Sequence, residues 1–296
     1  MTLALCRILY RIVMHGSFVK AAEALRMTPS AVSHAVSDAE SALGFRLFNR
    51  TKNGITLTQN GKEIYPAVLQ MLRSEGVLDQ IIDNLKGLQS GTVTLGVLNS
   101  VCTNWMPDIF QRFHADFPNI QINIYEGGYG DVAYWIKNGF TELGFLSTSY
   151  TTELMVDGRY QDPLVCIVPQ DFPNKKAGII TLAEMKDQHL IIQRRGSDTD
   201  VQKLFQKYDF HYHANCHFQD DTSIIAMITC GQGISVMPML TATGLVQGLK
   251  VLRIQPEEHR VIGLSSLDLE RLSPAAKKLY QCINAYMEEK NQLYSV

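Results

Sequence analysis

Apolar and polar positions at the start of the chain repeat with the period of a helix. Cys6, Leu9, Ile12 and Val13 make one apolar stripe. His15-Gly16 interrupts it, Ser17 is a good N-cap, and Phe18, Ala21, Ala22 and Leu25 form a second stripe. After the turn at Arg26-Met27, Thr28 reads as an N-cap, with Pro29 at the first helical position, where a missing N–H costs nothing. Gly44 ends that third helix. Val32, Val36, Ala39 and Leu43 fall on one side, and Ser30, Ser33, His34, Ser37 and Asp38 on the other. Two short helices joined by a tight turn, the second with its polar face outward, predict a helix-turn-helix. A solvated face would favour Lys and Glu, which are better helix formers than Ser or His. Short hydroxyls instead let a helix backbone approach phosphates and base edges.

Phe45, Leu47 and Phe48 are expected to pack back, and TKNGITLT (51–58) reads as a hairpin around Asn53-Gly54, a wing beside the outward helix. Thr58 then caps a helix reaching roughly Leu88. Its apolar positions Ile64, Val68, Met71, Leu78, Ile82 and Leu85 form a seam that wants a partner helix, so a dimer is expected. Pro66 lies inside this stretch and should kink or break it.

From Gly91 strand and helix patterns alternate. TVTLGVL, a helix near 104–117, IQINIY, a helix near 131–138 and ELGFLS predict an α/β unit with a parallel sheet. A second run opens at LVCIVP (164–169) and continues through HLIIQ, a helix after Ser197, HANCHF, a helix near 222–230 and GISVMP. KVLRI, RVIGLSS and an amphipathic helix from about Ser273 to Glu288 complete it. Two α/β units joined by crossing strands leave a cleft between them, where ligands meet strand ends.

Charge sharpens this division. Residues 1–60 hold seven basic side chains (Arg7, Arg11, Lys20, Arg26, Arg46, Arg50, Lys52) against Glu23, Asp38 and Glu40, a net of +4. The whole chain of 296 residues is at −2, so the remainder stands at −6. A basic end on an acidic body directs only the N-terminal part toward a polyanion. Arg7 and Arg11 interrupt the apolar N-terminus, no cleavage site follows, and no apolar run is long enough to span a bilayer, so a cytoplasmic protein without membrane contact is expected. Its six cysteines are scattered without a CxxC pair, as for reduced thiols.

The stretch GSFVKAAEALRMTPSAVSHAVSDAESALGFRLFNRTKNGITLTQNG (16–61) resembles the winged helix-turn-helix signature of the LysR-type transcriptional regulators. The likeness lies in its Gly-Ser-Phe start, Ala-Ala pair, Ala-Val-Ser core, Leu-Gly and Leu-Phe-x-Arg. GTVTLGV, FHADFPNIQINIYEG and GQGISVMP are similar to that family's effector domain, so the resemblance covers essentially the whole chain. It implies an α+β multidomain fold: a winged helix-turn-helix over 1–58, a linker and dimerisation helix over 59–90, and an α/β effector domain over 91–296. The last resembles type 2 periplasmic-binding proteins, with one subdomain from 91–165 and 266–296 and the other from 166–265. The implied protein is a sequence-specific DNA-binding regulator, not an enzyme, controlled by a small-molecule effector between the subdomains. Its implied partners are an operator in double-stranded DNA, a second copy in a homodimer or homotetramer, and RNA polymerase. Pro29 stands where many relatives have Gln, and His34 where they have Arg, which leaves base preference open.

The residues expected at DNA are Thr28, Pro29, Ser30, Ser33, His34 and Ser37 on the helix, with Arg50 and Lys52 beside the wing for phosphates. Asn99, Ser100 and Thr103 lie at a strand-to-helix turn whose N–H groups suit an anionic or polar ligand. The resemblance implies that Ser100 and Val101 line the cleft, and Gly128, Ser147, Gln193, Ser197 and Thr222 sit at similarly placed ends. His211, His213, Cys216 and His217 are metal-ligand types, but a strand sends Cys216 and His217 to opposite faces, so no metal or cofactor is expected. Cys102, near a helix start, is a candidate thiol of lowered pKa. Gly231 and Gly233 lack the third glycine of a dinucleotide fingerprint, and no nucleophile elbow, HExxH or P-loop supports catalysis. A solute-binding protein, the rival reading, does not explain the DNA-binding head.

Overall fold

The computed structural model describes all residues except 52–53, 87–89, 151–152, 174–175, 194–198, 219 and 295–296. Within its elements, the side chains of Arg50, Thr51, Asn84, His213, Asn215, Cys216, His217, Leu293 and Tyr294 also lie outside the description. The chain forms two compact units, one from 1–88 and one from most of 89–296.

In the first unit, α1 (Leu3–His15), α2 (Phe18–Leu25) and α3 (Pro29–Leu43) take the expected bounds. Their starts are capped by side chains: Thr2 accepts from Leu5 N–H, Ser17 from Lys20 N–H, and Thr28 from Ala31 N–H. Gly16 and Gly44 end α1 and α3 in the left-handed region. Cys6, Leu9, Ile12, Ala21, Ala22, Val32 and Val36 close the core. β1 (Phe48–Thr51) and β2 (Gly54–Leu57) pair antiparallel as the wing, with Arg50 opposite Ile55. The Glu40 carboxylate of α3 accepts the N–H groups of Leu47 and Phe48 at 2.6 and 3.2 Å, which ties the wing to the helix.

Helix α4 (Gln59–Leu85) runs without a break through Pro66, which leaves the Lys62 carbonyl lacking its usual i+4 donor. A side chain at Gly61 would collide with the Leu47 carbonyl, so glycine is needed where α4 leaves the wing. The predicted seam is divided. Tyr65, Val68 and Leu69 are buried in the head's own core, which is why α4 clusters with the head instead of standing apart as a 59–90 linker. Met71, Leu78, Ile81, Ile82 and Leu85 remain exposed on the later turns.

The second unit opens with β3 (Gly91–Val97), α5 (Asn99–Asn104), α6 (Met106–Asp116), β4 (Ile120–Glu126), α7 (Tyr129–Lys137) and β5 (Leu143–Ser147). The helix expected near 104–117 is thus two helices that meet at Trp105. β6 (Val156–Pro169) follows, longer than the expected LVCIVP, then β7 (Ile179–Thr181) and α8 (Leu182–Lys186), which lack a clear sequence period. Next come β8 (His189–Gln193), α9 (Thr199–Lys207), β9 (His213–Phe218), α10 (Asp221–Thr229), β10 (Ser235–Pro238) and α11 (Met239–Ala242). β11 (Leu249–Gln255), β12 (His259–Ser265) and α12 (Pro274–Tyr294) end the chain.

The sheet is mixed, in the order β4-β3-β5-β12-β6-β11-β7 with β10 on β6, and the parallel arrangement expected from TVTLGVL, IQINIY and ELGFLS holds for β3, β4 and β5. β3 is parallel to β4 and β5, but β12 is antiparallel to β5 and β6 because it returns from the second subdomain. β6 is the crossing strand: residues 156–163 pair with β12, and 164–169 with β10 and β11. Ile262 and Leu264 of β12 pack in the first subdomain's core, so 259–265 join it, ahead of the expected return at 266. Parallel β8 and β9 lie beyond, and β8 touches the rest through a bridge between Leu190 and Ile234. Gly233, at φ 156°, precedes that bridge, where a side chain would strike the His189 carbonyl.

Candidate functional site

The outward face of α3 has the predicted composition. Val32, Val36 and Ala39 are buried beneath it, and Thr28, Pro29, Ser30, His34, Ser37 and Asp38 are exposed, with Ser33 half-buried. The Thr28 and Ser30 hydroxyls lie 3.1 Å apart, so the start of the helix presents two polar atoms beside its first N–H groups. Each of these exposed groups is short except the His34 imidazole. The backbone of Arg50 belongs to β1, while its side chain and all of Lys52 lie outside the described residues.

In the second unit a cleft opens between the subdomains in two adjoining lobes of about 410 and 570 Å³. Asn99, Ser100, Glu126, Asp221 and Thr241 line both. Its back wall is built on a buried guanidinium. Arg260, on β12, sits directly across from Asp162 on β6. Nε and Nη2 of Arg260 both reach Asp162 Oδ2 at 2.8 Å, and Asp162 Oδ1 accepts the Leu240 N–H at 2.9 Å. Arg260 Nη1 donates to the Tyr129 hydroxyl and Nη2 to the Ser100 hydroxyl, each at 3.0 Å. Tyr129 and Ser147, from α7 and β5, donate in turn to the two oxygens of Asp200 on α9, each at 2.7 Å. Asp200 therefore joins the second subdomain to the first. Lys203 of the same helix donates to the Ser149 carbonyl.

Burial sets the titration of this network. It pushes the Tyr129 hydroxyl well up, against the pull of Arg260, and raises Asp162 in the same way. Burial works to lower Arg260, but Tyr129, Asp162 and Asp200 outweigh it, so the guanidinium stays charged. Asp221, whose carboxylate accepts from Gln193, is raised by burial.

Two family models account for nearly all of the chain. The bacterial regulatory helix-turn-helix of the lysR family matches residues 3–62, and the LysR substrate binding domain matches residues 86–288. The chain belongs to the LysR family. It is a DNA-binding transcriptional regulator with an effector-binding domain, and its relatives are regulators, not enzymes. It is 26% identical to the uncharacterised HTH-type transcriptional regulator YvbU of Bacillus subtilis over 94% of this chain and 96% of the relative. It is also 26% identical to the transcriptional activator CmpR of a Synechocystis species, over 81% and 80%. In fold it is similar to a full-length OxyR from Pseudomonas aeruginosa, with TM-score 0.75, 19% identity and coverage of 96% and 98%. CbnR complexed with its target DNA gives TM-score 0.68 at 16% identity, covering 96% and 99%. The effector-binding domain of QuiR in complex with shikimate gives 0.60 at 24%, covering 68% of this chain and 98% of that one.

Within this LysR regulator the residues expected at the cleft separate. Asn99, Ser100, Gly128 and Gln193 line the first lobe, and Thr103 and Thr222 the second. Val101 does not line either lobe: it turns inward from α5 and is fully buried in the first subdomain's core. Ser147 is buried behind Asp200 and touches the cleft only through it. Ser197 lies outside the described residues. Cys102 departs from expectation, since burial, and then Glu126, raise its thiol pKa instead of lowering it. His211 is exposed, with Nδ1 3.0 Å from the Asp209 carbonyl oxygen, and the side chains of His213, Cys216 and His217 fall outside the description. Among the described residues no group of three His, Cys, Asp or Glu side chains is disposed to hold a metal, and no helix is long and apolar enough to cross a membrane.

The sequence reading missed Arg260, Asp162, Asp200 and Tyr129. A signal was present. Arg260 falls in phase with Ile262 and Leu264, and Asp162 with Leu164, Cys166 and Val168, so period-2 alternation puts a charge on each buried face.

Proposed function

We propose that this regulator reads a pseudo-palindromic operator in cytoplasmic DNA as a homodimer or higher homo-oligomer, and that a small molecule in the cleft sets its activity. Residues Thr28, Pro29, Ser30, Ser33, His34 and Ser37 meet base edges and nearby phosphates, and Arg50 and Lys52 hold the backbone beside the wing. Exposed Met71, Leu78, Ile82 and Leu85 on α4 supply the apolar face between copies, and two recognition helices enter half-sites one helical turn apart. Asn99, Ser100, Thr103, Gly128, Gln193 and Thr222 contact the effector.

The observation that carries this reading is the division of α3. A capped helix buries Val32, Val36 and Ala39 while presenting Thr28, Ser30, Ser37, Asp38 and the His34 imidazole outward, although Leu43, expected on the apolar side, is exposed at its last position. Such a face stabilises no core and is poor in the residues that favour isolated helices. The test is an electrophoretic titration of the full chain on the DNA flanking its own gene, with non-specific competitor and at several salt concentrations. A specific complex whose affinity falls with salt is expected. Binding no tighter than to competitor DNA would overturn the reading of the head.

A further inference from the structure

The cleft holds a positive charge that is already spent. Arg260 directs Nε and Nη2 to Asp162, Nη2 also to Ser100, and Nη1 to Tyr129. A free carboxylate entering this end would look for the same donors. Asp200 is there first: its two oxygens take the hydroxyl hydrogens of Tyr129 and Ser147, both buried at 2.7 Å. The chain supplies its own anion from α9, across the cleft from the residues that bind it.

The remaining walls have the opposite need. Glu126, Asp131 and Asp221 line the larger-lined lobe with Asp200, and Arg260 is the one basic side chain among the described residues of either lobe. Asp162 neutralises Arg260, and among the described residues the donors to these carboxylates are neutral, Gln193 for Asp221 and Asn99 for Glu126. Two of the helix starts facing the cleft do not offset them, because they already have anions of their own, whereas the start of the six-residue α5 has no side-chain cap. Asp131 accepts the Gly128 N–H at 3.1 Å, and Asp220 accepts the Ser223 N–H at 2.8 Å. Asp221 and Glu126 line both lobes, where a ligand spanning the cleft would pass between them.

We propose that Asp200 is the resident anion of this cleft, and that the effector carries a positively charged nitrogen seated in the region lined by Asp221 and Glu126. This rests on the reading of the cleft as the effector site. Of the anionic or polar ligand that the strand-to-helix turn at Ser100 suggests, it keeps the polar groups and reverses the charge. The ligand class is an amine or guanidine with hydroxyl or apolar bulk, met by Asn99, Gln193 and Thr241 around its polar edges.

The test uses the full chain and two series matched in shape: glucosamine, glucose and gluconate; and benzylamine, benzyl alcohol and benzoate. Affinity is read by ligand-observed NMR and by thermal shift at millimolar concentrations. In at least one series the amine should bind about tenfold tighter than the carboxylate, as expected for one charged hydrogen bond. Glu126→Gln with Asp221→Asn should abolish that preference. Asp200→Ala should gain an anion site, so that acetate raises its melting temperature and not the parent's. Asp200→Asn, which keeps the shape and removes the charge, should weaken amine binding even if the alanine variant does not fold. A carboxylate preferred in the parent, and weakened by Ser100→Ala, would overturn the charge assignment while leaving the cleft as the effector site. A preference for amines unchanged by Glu126→Gln with Asp221→Asn would also overturn it. Silence of both series, and of acetate with Asp200→Ala, would overturn the proposal together with the cleft reading.

Discussion

Asp162→Asn is a small change in volume with a large expected effect. Asp162 is fully buried, and the Arg260 side chain is 6% exposed. Its two oxygens have separate duties: Oδ1 accepts the Leu240 N–H at 2.9 Å, and Oδ2 accepts Nε and Nη2 of Arg260 at 2.8 Å. Asparagine has one acceptor and one donor in these places. Whichever way the amide turns, its NH₂ faces either the Leu240 N–H or the guanidinium. The guanidinium also loses its opposite charge in a site where water cannot replace it. Removing one partner of a buried pair costs about 3–5 kcal/mol. Asp200 still acts on the guanidinium through Tyr129, which places the expected loss near the lower end, about 3 kcal/mol.

Calorimetry on the full chain would follow the transition of the larger unit. At about 2–4 °C per kcal/mol for a domain of this size, a loss of 3 kcal/mol lowers its midpoint by roughly 6–12 °C. The double change Asp162→Leu with Arg260→Met removes both charges, and it should recover more than half of the loss, since an apolar pair leaves no orphaned charge. Arg260→Lys should not, because an ammonium cannot reach Asp162, Tyr129 and Ser100 together. A cost under about 1 kcal/mol for Asp162→Asn would refute the reasoning, because no buried, singly paired guanidinium tolerates that change so cheaply.

Other expectations follow from the head, the helix seam and the thiols. His34→Ala should weaken specific operator binding by about 1–3 kcal/mol and leave competitor DNA nearly unaffected, as gel-shift titration would show. Ile82→Lys puts a charge on the exposed later turns of α4 and should shift the protein toward smaller species in light scattering; an unchanged mass would place the contact between copies elsewhere. Burial raises the Cys102 thiol, so its alkylation by iodoacetamide should be slower at neutral pH than that of a free thiol, and should rise with pH beyond the ordinary range near 8.5. Peptide mapping by mass spectrometry reads that rate at Cys102 itself.

What was legible in the sequence and what was not divide along a physical line. The head was readable because its signals are local: a cap, a first-turn proline, a terminal glycine and a 3.6-residue stripe each act within one or two turns. Most strands were found for the same reason, down to HLIIQ and HANCHF, but the three-residue β7 and the first half of β6 were not. The path of β12 was not, because strand direction depends on where a chain returns, and RVIGLSS reads the same in either direction. Pro66 was expected to kink or break α4; the helix does not break, and Tyr65, Val68 and Leu69 beside it are packed against the head. Those contacts also take part of a seam that its spacing assigned wholly to a partner. At the cleft, turn residues such as Asn99 and Gln193 were found by position. The Arg260–Asp162 pair joins residues nearly a hundred positions apart, and only the phase of each charge within its strand pointed inward. Asp200 needed the tertiary structure, since nothing in TDVQKLFQK shows that its carboxylate crosses to Tyr129 and Ser147.

That crossing bears on how a ligand controls the protein. A ligand moves an equilibrium only by the difference between its affinities for the two arrangements. A contact made with one subdomain alone is present in both, and it shifts nothing however strong it is. Glu126 ends β4 in the first subdomain, and Asp221 begins α10 in the second. An amine held by both is held only while the subdomains face one another, which supplies the difference. The bonds from Tyr129 and Ser147 to Asp200 already favour that facing arrangement without ligand, so the added bias need not reach the full ~5.5 kcal/mol that takes a state from 1:99 to 99:1. Shortening the ligand until it meets one carboxylate should therefore abolish control of DNA binding well before it abolishes occupancy of the cleft.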